Sequence, residues 1–284
     1  MEKKILVTGG AGFIGSNFLH YWSKHHNKDK LIVIDKLTYA GNQQNLNSLI
    51  KEQKLEFLKI DINDKENVKK IIHKYSITHI INFAAESHVD RSISKPKNFI
   101  KTNLEGTFNL LDNFNEHWND KGCPKDWMFL HISTDEVFGS LNQNEKKFSE
   151  DTIYCPRSPY SASKAGSDHL VMAWFYTYGL PVAVSNCSNN YGPFQHPEKL
   201  IPKTIVNYLL DLEIPIYGKG QNIRDWLYVE DHIHALEKII IKASPGAKYC
   251  IGGRDEISNI DLVYMILDVL DKKTNSIKNK NSKK

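Results

Sequence analysis

The sequence is short of long apolar runs and of cysteine. No run in its 284 residues approaches the roughly 20 apolar residues that a membrane helix needs. The opening MEKKILVTGG lacks the long apolar core and the small-residue cleavage site of a signal peptide. No CxxC pair occurs among the four cysteines, which argues against a zinc site and fits reduced thiols; they are Cys123, Cys155, Cys187 and Cys250. These absences predict a cytoplasmic protein.

An excess of charge is also missing from most of the chain. The net charge is +4, and residues 271–284 carry six lysines and one aspartate, or +5. The remainder is therefore at −1, so nothing suggests a nucleic-acid face. We predict that this lysine-rich tail is a disordered, solvated end, with a basic arm touching RNA or membrane as the alternative. The twelve histidines offer no convincing metal set, and we predict no metal site.

Short β-branched runs alternate with helical patterns over the first two thirds of the chain. The runs read as buried strands at 4–8, 31–35, 55–60, 79–84, 127–133 and 182–186. Helical patterns lie near 12–26, 63–75, 98–118 and 160–178. This alternation predicts an α/β fold, a Rossmann-type doubly wound parallel sheet with ligands at the carboxyl ends of its strands.

After about residue 190 the sequence becomes rich in Pro, Gly and Asn, with helical segments near 198–211, 231–242 and 258–270. We predict three parts: a dinucleotide-binding domain at 1–188, a smaller substrate lobe at 189–270 and the tail at 271–284.

VTGGAGFIGS follows the first strand and opens a helix. Gly10, Gly12 and Gly15 match G-x-G-x-x-G, and Gly9, Gly12 and Gly15 match a wider spacing. Glycines here let the backbone approach a pyrophosphate at a helix N-terminus. Asp35 ends the second strand, where a carboxylate accepts hydrogen bonds from a ribose and repels a 2′-phosphate. The pattern therefore favours NAD over NADP.

YSASK places Tyr160 and Lys164 four residues apart, on one helical face. A phenol that acts as a base near neutral pH must have its pKa lowered from ~10 to ~7, which takes about 4 kcal/mol. An ammonium one turn away and a positive nicotinamide ring are the groups expected to supply it. The chain at this point resembles the extended short-chain dehydrogenase/reductase family, in the glycine loop, Asp35, Asn103, Thr134 and the Tyr-Lys pair.

STDEVFG, at 133–139, distinguishes members of that family. Epimerases usually carry small or hydroxyl residues where Asp135 and Glu136 stand, and the run resembles the dTDP-glucose 4,6-dehydratase family. The resemblance extends to FAAESHVDRS (83–92), NNYGPFQHPEKLIP (189–202) and PIYGKGQNIRDWLYVEDH (215–232). It implies an NAD-dependent hydro-lyase of deoxysugar biosynthesis acting on dTDP-glucose. A related sugar-nucleotide dehydratase or 4-epimerase, or an NAD-binding protein with little activity, remains the alternative.

The resemblance also implies the catalytic roles. Tyr160 takes the C4 hydroxyl proton, Thr134 bonds the C4 oxygen, Glu136 removes the C5 proton and Asp135 helps the C6 hydroxyl leave. Adjacent side chains on a strand point to opposite faces, so the strand must end near Ser133 for both carboxylates to reach one sugar. From the segment alone, Thr-Asp-Glu is equally a helix N-cap pattern.

The binding residues follow from the same resemblance. The cofactor set comes from the glycine loop and the strand ends: Gly9, Gly12, Phe13, Ile14, Gly15, Asp35, Lys36, Leu37, Thr38, Asp61, Ile62, Phe83, Ala84, Ala85, Ser87, Thr102, Tyr160, Lys164 and Asn190. The substrate set is Ser87, Thr134, Asn189, Lys199, Leu200, Pro215, Ile216, Tyr217, Arg224 and Asn259. Asp61 and Asn259 have helix capping as an alternative role, and Arg224 has a salt bridge with Asp225 or Glu230.

The resemblance weakens after about residue 270. The family continues with a segment rich in Arg, Pro, Gly, His and Asp that supplies a second arginine for the diphosphate and closes the sugar lobe. We therefore expect an incomplete lobe, with weak activity or dependence on a partner that completes it. The family is usually dimeric, which predicts a homodimer through the helices near 98–118 and 160–178.

Overall fold

The main feature is a seven-stranded, fully parallel sheet with the order β3-β2-β1-β4-β5-β6-β9. This computed structural model describes residues 2–141, 145–216 and 218–281, with side chains up to residue 273. The six strands predicted from the sequence are confirmed, each within two residues at either end. The strands are β1 Lys4–Thr8, β2 Lys30–Asp35, β3 Glu56–Lys59, β4 His79–Asn82, β5 Met128–Thr134, β6 Val182–Cys187, β7 Asn189–Tyr191, β8 Ile223–Tyr228, β9 Ala247–Ile251 and β10 Glu256–Ser258.

Helices cover both faces of this sheet. Ile5 and Val7 of β1 belong to one apolar cluster and Leu6 to the other, because successive side chains on a strand point to opposite faces. The helices are α1 Phe13–His25, α2 Asn47–Lys51, α3 Lys65–Tyr75, α4 Val89–Ser94, α5 Pro96–Phe99, α6 Thr107–Asp120, α7 Pro159–Tyr178, α8 Leu200–Leu209, α9 Val229–Lys242 and α10 Asn259–Asn281. Residues of α1 and α9 pack in the cluster that contains Ile5 and Val7, and residues of α3, α6 and α7 pack in the cluster that contains Leu6. The two sets of helices therefore cover opposite faces, and the sheet is doubly wound as predicted.

The predicted division at residue 189 does not follow the sheets. The lobe has its own three-stranded sheet, β10-β8-β7, but β9 pairs with β6 at the edge of the main sheet. Helix α9 packs on α1, with Ile233 and Leu236 fully buried in the main core. The chain thus returns from the lobe to the dinucleotide-binding domain, because the unpaired edge of β6 and the apolar face of α1 both need cover.

A disordered tail was predicted at 271–284, whereas in the structure α10 continues as far as Asn281. No Gly or Pro interrupts residues 259–281. Lys272 pairs with Asp268 one turn earlier at 2.5 Å. Residues 282–284 lie outside the described part of the chain. Across the described residues, none of the helices has the length and apolarity to span a membrane.

Candidate active site

A cleft opens at the carboxyl ends of the central strands. Its lining includes a residue at or just after each of β1, β2, β4, β5 and β6: Gly9, Asp35, Phe83, Thr134 and Ser188. Strand β1 lies between β2 and β4, where the chain reverses the direction in which it adds strands. Ligands of doubly wound sheets bind at that switch point.

The glycine loop forms one wall of the cleft. Gly9 has φ +67°, and a Cβ there would lie 2.6 Å from the backbone nitrogen of Ala84. A Cβ on Gly15 would lie 2.6 Å from the Gly9 carbonyl oxygen. A Cβ on Gly12, the N-cap of α1, would meet only that oxygen, at 3.2 Å. The N-terminus of α1 therefore faces the cleft with room for a phosphate against its N–H groups.

Asp35 ties the ends of β1 and β2 together. Its carboxylate accepts the backbone N–H of Ala11 at 3.0 Å and that of Leu37 at 2.7 Å. Burial raises the pKa of Asp35, and these two hydrogen bonds oppose the rise. Because a carboxylate has about four lone-pair positions, Asp35 can still accept hydrogen bonds from ribose hydroxyls.

Asp61 lies on the same side of the cleft, and capping is not its role. The N-cap of α3 is Asp64, which accepts the N–H of Asn67. Lys36 binds Asp61 at 2.6 Å. Burial acts to raise the pKa of Asp61, but the hydrogen bonds from Lys36 and Asn63 lower it overall.

Tyr160 and Lys164 occupy the first two turns of α7. Ser158 caps this helix by accepting the N–H of Ser161 at 3.0 Å. Lys164 is 2% exposed, and its Nζ donates to the Ile132 carbonyl at 2.8 Å. Burial lowers the pKa of Lys164 to about 8.

The protein groups around Tyr160 raise its pKa, whereas its predicted role as a base needs a lowered one. Burial, followed by the charge of Glu136, raises it well above 10, while a hydrogen bond with Thr134 acts in the opposite direction. Lys164 Nζ donates to the Ile132 carbonyl on β5, and among the described residues no hydrogen bond joins it to the Tyr160 hydroxyl. The protein groups alone therefore do not lower the pKa of Tyr160.

Strand β5 ends at Thr134, and the next four residues, Asp135–Phe138, form a 3-10 helix. Thr134 Oγ1 accepts the N–H of Glu136 at 3.2 Å and caps this turn. The strand extends one residue beyond the predicted end, and the predicted break in strand geometry is confirmed. The capping interpretation is confirmed as the cap of a 3-10 helix, and this cap produces the break in strand geometry; the catalytic interpretation stays a prediction.

The two carboxylates have different surroundings. Burial, then the neighbouring Glu136, raises the pKa of Asp135 to about 6. Burial also raises the pKa of Glu136, but Arg224 and Lys199 both act to lower it. Such divergence separates an acid from a base. Glu136 lines the cleft, whereas Asp135 is not part of its lining in the described structure.

Arg224 stands on β8 at the mouth of the cleft. In the described part of the chain it forms no ion pair with Asp225 or Glu230. Asp225 instead accepts the backbone N–H groups of Gly253 and Asp255, each at 2.8 Å. The salt-bridge alternative for Arg224 is therefore wrong; Arg224 lines the cleft, and its Nη1 donates to the Ile223 carbonyl at 3.2 Å.

The comparisons with known proteins agree with this geometry. Residues 6–284 match the family described as GDP-mannose 4,6 dehydratase. The dTDP-glucose 4,6-dehydratase of Salmonella typhimurium is 49% identical over 278 residues, covering 94% of this chain and 77% of that protein. The crystal structure of dTDP-glucose 4,6-dehydratase from Bacillus anthracis in complex with NAD matches with a TM-score of 0.85 and 43% identity, over 95% of this chain and 81% of that one.

The chain belongs to the dTDP-glucose 4,6-dehydratase family. By contrast, the UDP-glucose 4-epimerase of Thermotoga maritima, with UDP-glucose, matches with a TM-score of 0.82 but 28% identity, over 94% of this chain and 82% of that one. The fold is shared between dehydratases and epimerases, so the family assignment depends on the sequence and on the site.

Most residues predicted from resemblance to the dehydratase family do line the cleft. The exceptions are Leu37, Asp135, Pro215 and Ile216, which are absent from the lining of the described structure, and Tyr217, which lies outside the described residues. Asn259 lines the cleft, while the cap of α10 comes from Ser258, whose Oγ accepts the N–H of Asp261 at 3.2 Å.

Sequence reasoning missed other lining residues of this dehydratase-family site. Several are neighbours in sequence of predicted ones, such as Glu86, Ser188 and Glu198, and adjacency was the only signal available for them. The full set of missed residues is Ile34, Ala40, Gly41, Ile60, Glu86, Ile132, Ser133, Cys187, Ser188, Gln195, His196, Glu198 and Trp226.

Proposed function

We propose that the protein converts dTDP-glucose to dTDP-4-keto-6-deoxyglucose and water, as a dTDP-glucose 4,6-dehydratase of deoxysugar biosynthesis. The observation that carries the proposal is the pair Asp135 and Glu136, which follow Thr134 at the end of β5 and act electrostatically on Tyr160. Elimination across C5 and C6 needs an acid and a base beyond those of a redox step.

The cofactor is NAD, and the cleft fits it. The glycine loop leaves room for a pyrophosphate, Asp35 can accept ribose hydroxyls, and Lys36 is paired with Asp61 rather than free for a 2′-phosphate. When bound against these residues, NAD⁺ would supply the hydride acceptor for C4, the hydride donor for C6 and the positive charge that the Tyr160 phenol needs.

Tyr160 is the base of the first step. It takes the proton of the C4 hydroxyl as that carbon becomes a ketone, while Thr134 orients the C4 oxygen through its own hydroxyl. Lys164, one turn further along α7, supplies a buried positive charge behind the phenol.

Glu136 is the base of the elimination. The C4 ketone acidifies the C5 proton, and Glu136 takes it, because Arg224 and Lys199 favour its ionised form. Asp135 gives a proton to the C6 hydroxyl, which leaves as water, and Glu136 returns a proton to C5 when hydride reaches C6. A pKa of about 6 keeps an appreciable fraction of Asp135 protonated near neutral pH.

The nucleotide diphosphate is held by Arg224 and Lys199. A guanidinium binds phosphate oxygens in a bidentate manner, and Arg224 has no competing partner in the described ion pairs. Asn189, Leu200 and Asn259, which also line the cleft, surround the rest of the nucleotide, and Ser87 is close to the sugar.

The activity is tested with dTDP-glucose in heavy water, with the product identified by mass spectrometry and NMR. We expect a 4-keto-6-deoxy sugar that carries solvent deuterium at C5. A 4-epimer without loss of water would instead assign the chain to the epimerases. Tight NAD binding without any turnover would leave it as a binding protein.

We also propose a homodimer in the cytoplasm. Phe108 of α6 and Tyr176 and Tyr178 of α7 are exposed, the last two by 77% and 53%, on the two helices predicted to form the interface. All four cysteines are free thiols, which fits a reducing compartment. Sedimentation showing only monomer at micromolar concentration would contradict the dimer.

A further inference from the structure

Asp168 is a buried carboxylate that the proposed reaction does not use. It lies on α7 one turn after Lys164 and is 1% exposed. A carboxylate is rarely buried without partners, because loss of hydration costs several kcal/mol unless other groups replace the water. Its surroundings therefore indicate what it does.

Three donors converge on one oxygen of Asp168. Ser133 Oγ donates to Oδ2 at 2.8 Å, the Tyr154 hydroxyl at 3.0 Å and the Asn186 amide at 3.1 Å. An ionised carboxylate accepts hydrogen bonds only, so three donors on one oxygen indicate the charged form. The other oxygen has no hydrogen-bond partner among the described residues and lies 3.5 Å from His131 Nε2.

The hydrogen bonds of His131 show that it is not the counter-charge of Lys164. The Asn82 amide nitrogen lies 3.1 Å from Nδ1, and Asn82 is oriented by the Thr8 hydroxyl, which donates to its Oδ1 at 2.6 Å. Nδ1 is therefore an acceptor, and the proton of the neutral ring is on Nε2, 3.1 Å from Ser167 Oγ. Lys164 Nζ lies 3.3 Å from Nε2, and a neutral ring gives the ammonium no negative charge.

Asp168 supplies that negative charge. Burial lowers the pKa of Lys164, and the Asp168 carboxylate is the first of the charges that raise it again. In return, Lys164 is the first of the groups that oppose the rise that burial causes in the pKa of Asp168.

The same carboxylate is connected to the catalytic end of β5. The Asn186 amide that binds Asp168 also donates to the Thr134 carbonyl at 3.1 Å. Ser133, bound to Asp168 directly, precedes Thr134. Asp168 thus holds α7 and β5 in register where the Tyr-Lys pair meets the Thr-Asp-Glu turn.

We propose that Asp168 is a positioning residue of this site: its carboxylate is the buried counter-charge that keeps Lys164 an ammonium, and it fixes the end of β5 against α7. The catalytic consequence rests on the proposed function, whereas the charge relationship is a property of the chain alone.

The other titratable groups around the pair do not ionise near neutral pH. Burial holds the pKa of His131 well below 6.5, raises that of Cys187 on β6 to about 12 and raises that of Tyr154. The charges of Asp135 and Glu136 act on Tyr160, whereas the charges that act on Lys164 are those of Asp168 and Cys187. A titration of Lys164 near pH 8 is therefore not masked by its direct neighbours.

The test is an NMR titration of the full chain carrying ¹³C-labelled lysine. The Cε signal of Lys164 is assigned by its absence in Lys164→Met. In Asp168→Asn, which keeps an oxygen acceptor without the charge, we expect the midpoint of Lys164 to fall by about 1 pH unit or more. Asp112→Asn, which neutralises a carboxylate on α6 that pairs with Lys65, should leave it unchanged. An unchanged midpoint in Asp168→Asn would overturn the proposal.

A reciprocal measurement covers the case in which Asp168→Asn does not fold. Linkage requires Lys164→Met to raise the pKa of Asp168, which ¹³Cγ-labelled aspartate reports, and no rise there would also overturn the proposal. In Asp168→Asn enzyme, turnover of dTDP-glucose should fall and its high-pH limit should move to lower pH, with KM nearly unchanged. Absence of turnover in the unmodified protein would contradict the proposed function and leave the titration result intact.

Discussion

Thr134 Oγ1 accepts the backbone N–H of Glu136 at 3.2 Å, and this contact turns the chain where the carboxylates begin. Thr134 itself is extended, with φ −138° and ψ 153°, and the 3-10 helix starts directly after it. On a continued strand Asp135 and Glu136 would point to opposite faces of the sheet. The cap removes that restriction, and the residue whose hydroxyl shapes the turn also lines the cleft.

Glu136→Gln should separate the redox half of the reaction from the elimination. The amide cannot accept the C5 proton, so C4 oxidation should persist while exchange of the C5 proton with solvent is lost. Single-turnover absorbance of NADH, with deuterium incorporation by NMR, measures both. Normal exchange in this variant would remove Glu136 from its role.

Asp135→Asn should make the protein more stable at high pH. The pKa of Asp135 is raised from 3.8 to about 6 in the folded state, so the folded state holds a proton that the unfolded state has lost. Stability from this group is therefore present at low pH and declines as pH rises from about 4 through 6, by no more than about 3 kcal/mol. In urea unfolding, the free energy of unfolding of the variant minus that of the unmodified protein should increase from pH 4 to pH 8. A constant difference across that range would contradict the shift.

Gly9→Ala should abolish NAD binding. The added Cβ would lie 2.6 Å from a backbone atom of Ala84 at a positive φ, so the glycine loop or the end of β4 has to move. Gly122→Ala is the matched control, since its φ of +77° is similar and no atom lies within 4 Å of its added Cβ. It should cost only about 1 kcal/mol of strain and retain NAD affinity by calorimetry. Equal loss of affinity in both variants would rule out the close approach as the reason.

Arg224→Gln should weaken binding of dTDP-glucose. Loss of a hydrogen bond to a charged group costs about 1.5–3 kcal/mol, or roughly 10- to 150-fold in affinity. Because Arg224 also lowers the pKa values of Asp135 and Glu136, the acidic limb of the pH profile should move to higher pH. Lys238→Gln, a change at an exposed site on α9, is the control for net charge. Unaltered KM and pH profile would contradict a diphosphate contact.

Local chemistry explains why so much of the site was predictable. The Gly9–Gly15 turn, the end of β2 at Asp35, the cap at Thr134 and the Tyr160/Lys164 spacing each depend on a few consecutive residues, whose backbone preferences and periodicity are visible in the sequence. The five inner strands β1, β2, β4, β5 and β6 are apolar runs because they are buried on both faces, whereas β3, at the edge of the sheet, is only half-buried.

The return of β9 to the main sheet was not predictable in this way, since Ala247–Ile251 is a short, partly polar run that becomes a strand only by pairing with β6. Asp168 was overlooked for a related reason. Its helical position relative to Lys164 can be read from the sequence, but its partners Ser133, Tyr154 and Asn186 come from three separate parts of the chain.

The sequence by itself thus determined the kind of fold, the cofactor loop and the residues available for acid–base chemistry, because these follow from local backbone preference and from residue type. Only the tertiary structure decided the directions of the pKa shifts. Burial raises the pKa of Tyr160 and, against different neighbouring charges, those of Asp135 and Glu136. Burial lowers the pKa of Lys164, and the charge of Asp168 opposes that fall. Each depends on burial and on charges contributed by distant segments, and those distances are established only when the sheet and its helices pack.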